Sequence, residues 1–131
     1  MQLSKFTDYA FRALIYLAKN PNDNGTVDKL ADELNISTHH LKKVINKLAK
    51  TEYIISTKGR NGGLKLGLPP EEINLGKVLL LTEENLSLVE CMNESGVCPL
   101  ISEECKLKGI ICRSLNGFIK EMSNYTLKDI I

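Results

Sequence analysis

The chain has 131 residues, 43% apolar and 25% charged, a composition typical of a soluble globular protein with one ordinary core. Net charge is only +1, but residues 1–70 carry 11 Lys+Arg against 6 Asp+Glu and residues 71–131 carry 6 against 10, so a basic half precedes an acidic one. No apolar run approaches the roughly 18–20 residues that span a bilayer, and MQLSKFTDYA lacks the basic and apolar regions of a secretory signal, so a cytoplasmic, thiol-reducing setting is expected.

Residues 7–19 predict a first helix, with Ala10, Ala13, Leu14, Leu17 and Ala18 at helical spacing and Thr7 or Asp8 as cap. The run Asn20-Pro21-Asn22-Asp23-Asn24-Gly25 breaks it. Thr26 then caps a short helix with Val27, Leu30, Ala31 and Leu34 inward. Asn35-Ile36 makes a tight turn, and Ser37 caps a third helix with Leu41, Val44, Ile45 and Leu48 inward. Helix, short turn, helix is a helix-turn-helix pattern. The outward face of its second helix carries Thr38, His39, His40, Lys42, Lys43 and Asn46, donors suited to phosphates and base edges. An ordinary αα-hairpin with a solvated basic face would look similar from this segment alone.

The next segment narrows the choice. Tyr53 to Thr57 and Leu64 to Leu66 predict two strands around a turn containing Asn61-Gly62, a hairpin signal. Lys58 and Arg60 project from its glycine-rich tip, KGRNGG. Across residues 38–65 there are 7 basic residues and 1 acidic one. A recognition helix followed at once by a basic hairpin is a winged-helix arrangement, with the helix in the major groove and the wing on the backbone or minor groove. A phosphate-cradling loop would need a helix N-terminus after it, and none follows.

Pro69-Pro70 closes the wing, and Asn74 caps a helix expected over 75–84. Residues 85–104 lack periodicity and read as a loop. A long helix resumes from about 103 to 122, with Leu107, Ile111, Leu115, Phe118 and Met122 in one stripe flanked by Ile110 and Ile119. So small a core has little left to bury such a stripe, so a second copy of the chain is the expected partner. The expected architecture is mainly α with a small β-hairpin wing. A winged helix-turn-helix DNA-binding domain (1–70) precedes a cluster-binding loop and dimerisation helix (71–131).

All four cysteines, Cys91, Cys98, Cys105 and Cys112, lie in this second part, with six residues between each and the next. Zinc sites favour pairs spaced by two to four residues, so this spacing fits zinc poorly. Three thiolates gathered by a loop suit an iron–sulfur cluster. Cys112 lies two helical turns, about 10 Å, beyond Cys105, and beside the apolar stripe. It therefore reads as a buried spectator, with a ligand role as the alternative.

MQLSKFTDYAFRALIYLA, KKVINKLAK, KGRNGGLKLG, LSLVEC with the following cysteines, and NYTLKDI together resemble the Rrf-type winged-helix regulators. Within that family the likeness is to its nitric-oxide-sensing iron–sulfur repressors. The resemblance covers nearly the whole chain. It implies a homodimeric repressor with an iron–sulfur cluster, 4Fe–4S or alternatively 2Fe–2S, held by Cys91, Cys98 and Cys105. It further implies that Asp8 of the other subunit supplies a remaining ligand, where the residues alone suggest a helix cap. Nitric oxide is the implied signal, a double-stranded operator the implied partner, and nitric-oxide stress genes the implied target. The chain departs from the usual pattern in its wider cysteine spacing and its fourth cysteine. It also has Lys106, Leu107 and Lys108, not a histidine, after Cys105. An IscR-like regulator sensing cluster supply or redox state is the alternative within the family. A thiol oxidoreductase would need a C-x-x-C pair, and the chain has none.

Overall fold

The computed structural model describes residues 1–100 and 104–131. Helix α1 spans Lys5–Lys19, two residues longer at its start than the periodicity predicts. Its cap is Ser4, whose hydroxyl accepts the Thr7 N–H at 3.2 Å. Thr7 and Asp8 both lie inside the helix, because Thr7 is fully buried and Asp8 is paired with Arg12 one turn on. Ala10, Ala13, Leu14 and Leu17 form the buried stripe.

Helix α2 (Val27–Leu34) is capped by Thr26 and ends at Asn35, which adopts φ 52°. Asparagine tolerates this left-handed conformation better than other residues with a Cβ. Ser37 then caps α3 (Thr38–Ala49), which buries Leu41, Val44, Ile45 and Leu48. Strands β1 (Ile54–Thr57) and β2 (Gly63–Leu66) pair antiparallel, from Ile54 opposite Leu66 to Thr57 opposite Gly63. The hairpin is rooted on the loop between α1 and α2, where Leu64 donates its N–H to the Gly25 carbonyl at 3.0 Å. Three helices with a basic hairpin packed on α3 and α1 make a winged helix-turn-helix.

A one-turn 3₁₀ helix at Pro70–Glu72 leads to α4 (Leu75–Thr82), capped by Asn74 as expected but ending two residues early. Long helix α5 spans Lys106–Met122. Its expected start near 103 lies outside the described residues. A final 3₁₀ turn, Leu127–Ile130, returns to the core, where Leu127 donates to the Ile73 carbonyl at 2.8 Å. Ile73, Leu75, Val78 and Leu127 thereby join the α1 stripe in one apolar cluster.

The expected stripe on α5 divides. Ile111, Leu115 and Met122 are half-buried, while Leu107, Ile110 and Phe118 are 63%, 52% and 45% exposed. No residue of α5 is fully buried within the single chain, Cys112 included. The helix has too little of its own chain around it. No helix among the described residues is long and apolar enough to cross a membrane.

Helix α4 meets the end of α5 through Gly76, where an added Cβ would lie 2.9 Å from the Ser123 Cα and collide with its hydroxyl. Backbone cannot yield as a flexible side chain does. Gly76→Ala is therefore expected to cost about 1–3 kcal/mol, as overpacking typically does. Urea denaturation should show a lowered midpoint, and an unchanged midpoint would refute this close approach.

Candidate nucleic-acid interface and thiol site

All the expected reading residues of α3 are on its outward side. Thr38, His39, His40, Lys42, Lys43 and Asn46 are exposed, while the apolar residues between them are buried. The face is a product of the 3.6-residue period: one side is spent on α1 and α2, and the other faces solvent. His40 sits with its ring 5.9 Å from His39 and 6.5 Å from Tyr9 of α1, within the range of aromatic pairing. Tyr9 is a link between α1 and the recognition helix that the sequence did not single out.

The wing tip is a five-residue loop, 58–62. The Gly62 N–H donates to the Gly59 carbonyl at 3.0 Å, which puts Arg60 and Asn61 at the corners of a turn. Gly59 has φ 106°, a conformation that disfavours any side chain. A Cβ on Gly62 would strike the Thr57 carbonyl. The glycines thus permit a tight loop from which Lys58, Arg60 and Asn61 stand exposed, with Gly62 half-buried beneath them.

The four thiols are all free and half-exposed. Cys91 lies in a 3₁₀ turn, Glu90–Met92, that is folded tightly against Gly96. Cys98 lies further along the same loop. Cys105 is the N-cap of α5, its Sγ accepting the Lys108 N–H at 3.3 Å. The Lys108 ammonium donates to the Cys91 carbonyl at 2.9 Å, bringing the Cys91 turn to the same end of α5. Among the described residues, no three His, Cys, Asp or Glu side chains converge closely enough to hold a metal ion. The donor set nevertheless suits an iron–sulfur group. Three uncrosslinked, accessible soft sulfurs share one loop, and one of them already accepts a backbone N–H as cluster thiolates do.

Among the described residues, Asp8 makes no hydrogen bond or ion pair with the thiol loop. Its carboxylate pairs with Arg12 at 2.9 Å on the exposed side of α1. A different carboxylate makes the link that sequence reasoning missed. Glu83, at the C-terminal end of α4, accepts the Ser4 N–H at 3.0 Å and the Thr7 hydroxyl at 2.6 Å. The Ser4 hydroxyl is 3.1 Å from the same oxygen. The segment that leads into the thiol loop is thus fastened to the first turn of α1. The only local hint was a serine three residues before a threonine, because the partner is 79 residues away from Ser4.

The sequence model of the Rrf2 family, described as "Iron-dependent Transcriptional regulator", matches residues 3–131. The chain belongs to the Rrf2 family. It is a DNA-binding transcriptional regulator and not an enzyme. It is 45% identical over 132 aligned residues to the HTH-type transcriptional regulator NsrR of Halalkalibacterium halodurans, covering 100% of this chain and 90% of that one. Among solved structures, CymR, the global cysteine regulator of B. subtilis, superposes with TM-score 0.75 at 25% identity, over 99% of this chain and 95% of that one. IscR of T. potens superposes with TM-score 0.78 at 18% identity, over 99% and 85%, a likeness of fold. The Rrf2 resemblance read from the sequence, and within it the likeness to NsrR, are borne out by these matches.

Loss of one wing cation should be felt as charge. Arg60→Ala is expected to weaken binding to a cognate duplex and to flatten the salt dependence of log K by about one unit. Mobility shifts across a salt series measure both. Unchanged affinity and slope would remove the wing from the interface.

Proposed function

We propose that this Rrf2 regulator is a homodimeric repressor that senses nitric oxide through an iron–sulfur cluster and controls nitric-oxide stress genes. The supporting observation is the Glu83 junction, which ties the segment entering the thiol loop to the helix on which the recognition helix packs. The likeness to NsrR supports the choice of signal. In this reading Cys91, Cys98 and Cys105 hold the cluster from one chain, and Asp8 of a second copy completes four ligands, the number a 4Fe–4S group takes from its protein. A 2Fe–2S group is the alternative. The chemistry such a group supplies when bound is iron open to attack by nitric oxide.

The chain's own residues would carry the signal from there. Asp8 must leave Arg12 to serve a second copy. An exposed i,i+4 ion pair is worth only about 0.5 kcal/mol, so the exchange meets little resistance. Asp8 precedes Tyr9, whose ring stands against His40 of α3. A pull on Asp8 therefore bears on the base-reading end of the recognition helix. A coupling of about 1–3 kcal/mol alters DNA affinity roughly 5–150-fold. Anaerobic purification, metal and sulfide analysis and titration with nitric oxide test the whole reading. Protein without iron and sulfide, or DNA binding indifferent to nitric oxide, would refute it.

The ligand set has its own test. Cys91→Ala, Cys98→Ala and Cys105→Ala are each expected to abolish stable cluster assembly. Cys112→Ser should retain near-normal iron, sulfide and absorbance. Asp8→Ala should form a more labile cluster, since a carboxylate is a harder and weaker ligand to iron than a thiolate. Side-by-side anaerobic reconstitution compares the five. Loss in Cys112→Ser with a normal Asp8→Ala would transfer the fourth position to Cys112.

Assembly is tested on the exposed half of the α5 stripe. Ile110→Glu with Phe118→Glu leaves the core of the single chain untouched and is expected to yield monomers that bind DNA poorly. Sedimentation showing an intact dimer would move the interface off α5.

A further inference from the structure

Lys108 touches two of the three expected cluster ligands with two different parts of itself. Its backbone N–H donates to Cys105 Sγ at 3.3 Å, and its ammonium donates to the Cys91 carbonyl at 2.9 Å. The first contact follows from helix geometry, since an N-cap side chain receives the N–H of the third residue whatever that residue is. The second requires a long cationic side chain. Removing the ammonium would therefore keep the cap and release Cys91.

Among the described residues, the other hydrogen bonds of the Cys91 turn are internal to its own loop. Met92 donates to the Val89 carbonyl, Asn93 to that of Glu90 and Gly96 to that of Asn93, each at 3.0 Å. These bonds shape the loop but do not anchor it. Among the described residues, the Lys108 ammonium makes the one hydrogen bond that joins segment 84–100 to α5. It also places a positive charge where anionic sulfur would collect, in the acidic half of the chain.

We propose that Lys108 is the positioning residue of the thiol site. Its ammonium grips the Cys91 carbonyl and holds that turn against Cys105 at the first turn of α5, before any cluster arrives. The proposal rests on the reading that these cysteines hold a cluster. It also gives a reason for a lysine to stand three residues after the last loop cysteine. Bringing two ligands to one helix end in advance raises their effective concentration for each other and lowers the ordering cost of assembly.

The 131-residue chain carrying Cys98→Ser and Cys112→Ser retains only the two thiols in question. In the metal-free state, dibromobimane, a short bifunctional thiol reagent, reports how often they meet. Adding Lys108→Gln is expected to slow bridging about tenfold, which corresponds to ~1.4 kcal/mol. Lys108→Arg should restore the rate to within about twofold, because a guanidinium offers the same charge-assisted bond. Equal rates with and without Lys108→Gln would overturn the proposal. Equal slowing by both substitutions would also overturn it, as damage to the helix start and not loss of a grip. A second arm reconstitutes the four-cysteine protein anaerobically. There Lys108→Gln should slow cluster uptake and move the reduction potential downward, since a cation near the site favours the reduced form. Unchanged uptake and potential would overturn the proposal. Absence of iron and sulfide from the parent protein would instead overturn the cluster reading, while the bridging rates still decide the Lys108 contact.

Discussion

Helix α1 must bury the face that carries Thr7, Ala10, Ala13, Leu14 and Leu17, and the rest of the molecule is arranged to cover it. Ala10 and Ala13 are fully buried, and their small side chains let neighbouring helices approach closely. Helix α3 packs on it, α4 packs on it, and β2 and the last 3₁₀ turn close the remaining gaps. The helix with the outward basic face and the helix that leads into the thiol loop therefore share one support. A change in how α1 sits cannot be confined to either.

The start of that helix is held by charge-assisted bonds to Glu83, and the location is economical. One half-buried carboxylate receives three donors at this helix end, the Ser4 N–H and the Ser4 and Thr7 hydroxyls. Hydrogen bonds to charged groups contribute about 1.5–3 kcal/mol each when well formed. Thr7 is wholly buried, so loss of Glu83 would leave its hydroxyl to find another partner. Basic residues are concentrated on α3 and the wing, where residues 38–65 hold 7 against 1 acidic residue. The charge imbalance between the halves of the chain thus has a spatial counterpart.

Much of this was written in local sequence. Helices α2 and α3 were legible because their apolar periods and their caps, Thr26 and Ser37, agree. The wing was legible because Asn61-Gly62 sits between two short apolar runs. The start of α1 was misjudged, since Ser4 becomes a cap in concert with a carboxylate from the far end of α4. The α5 stripe looked uniform because periodicity reports which residues share a side, not how much of that side one chain can cover. Cys112 was expected to be buried for the same reason and is half-exposed. The thiol loop has no period at all, so nothing in its spacing foretold the Lys108 bridge.

The root of the wing carries a mechanical consequence. At Gly63 a Cβ would lie 2.7 Å from the backbone carbonyl of Asn24, so the second strand rests directly on the main chain of the loop that joins α1 to α2. With no side chain between them to act as a cushion, strand and loop have little room to slide. The hairpin behaves as a rigid outrigger on the helical body. Any tilt of that body is passed along the arm to the turn at Arg60 and Asn61. A modest rotation of the core reaches the tip as a displacement, with no hinge required in the wing.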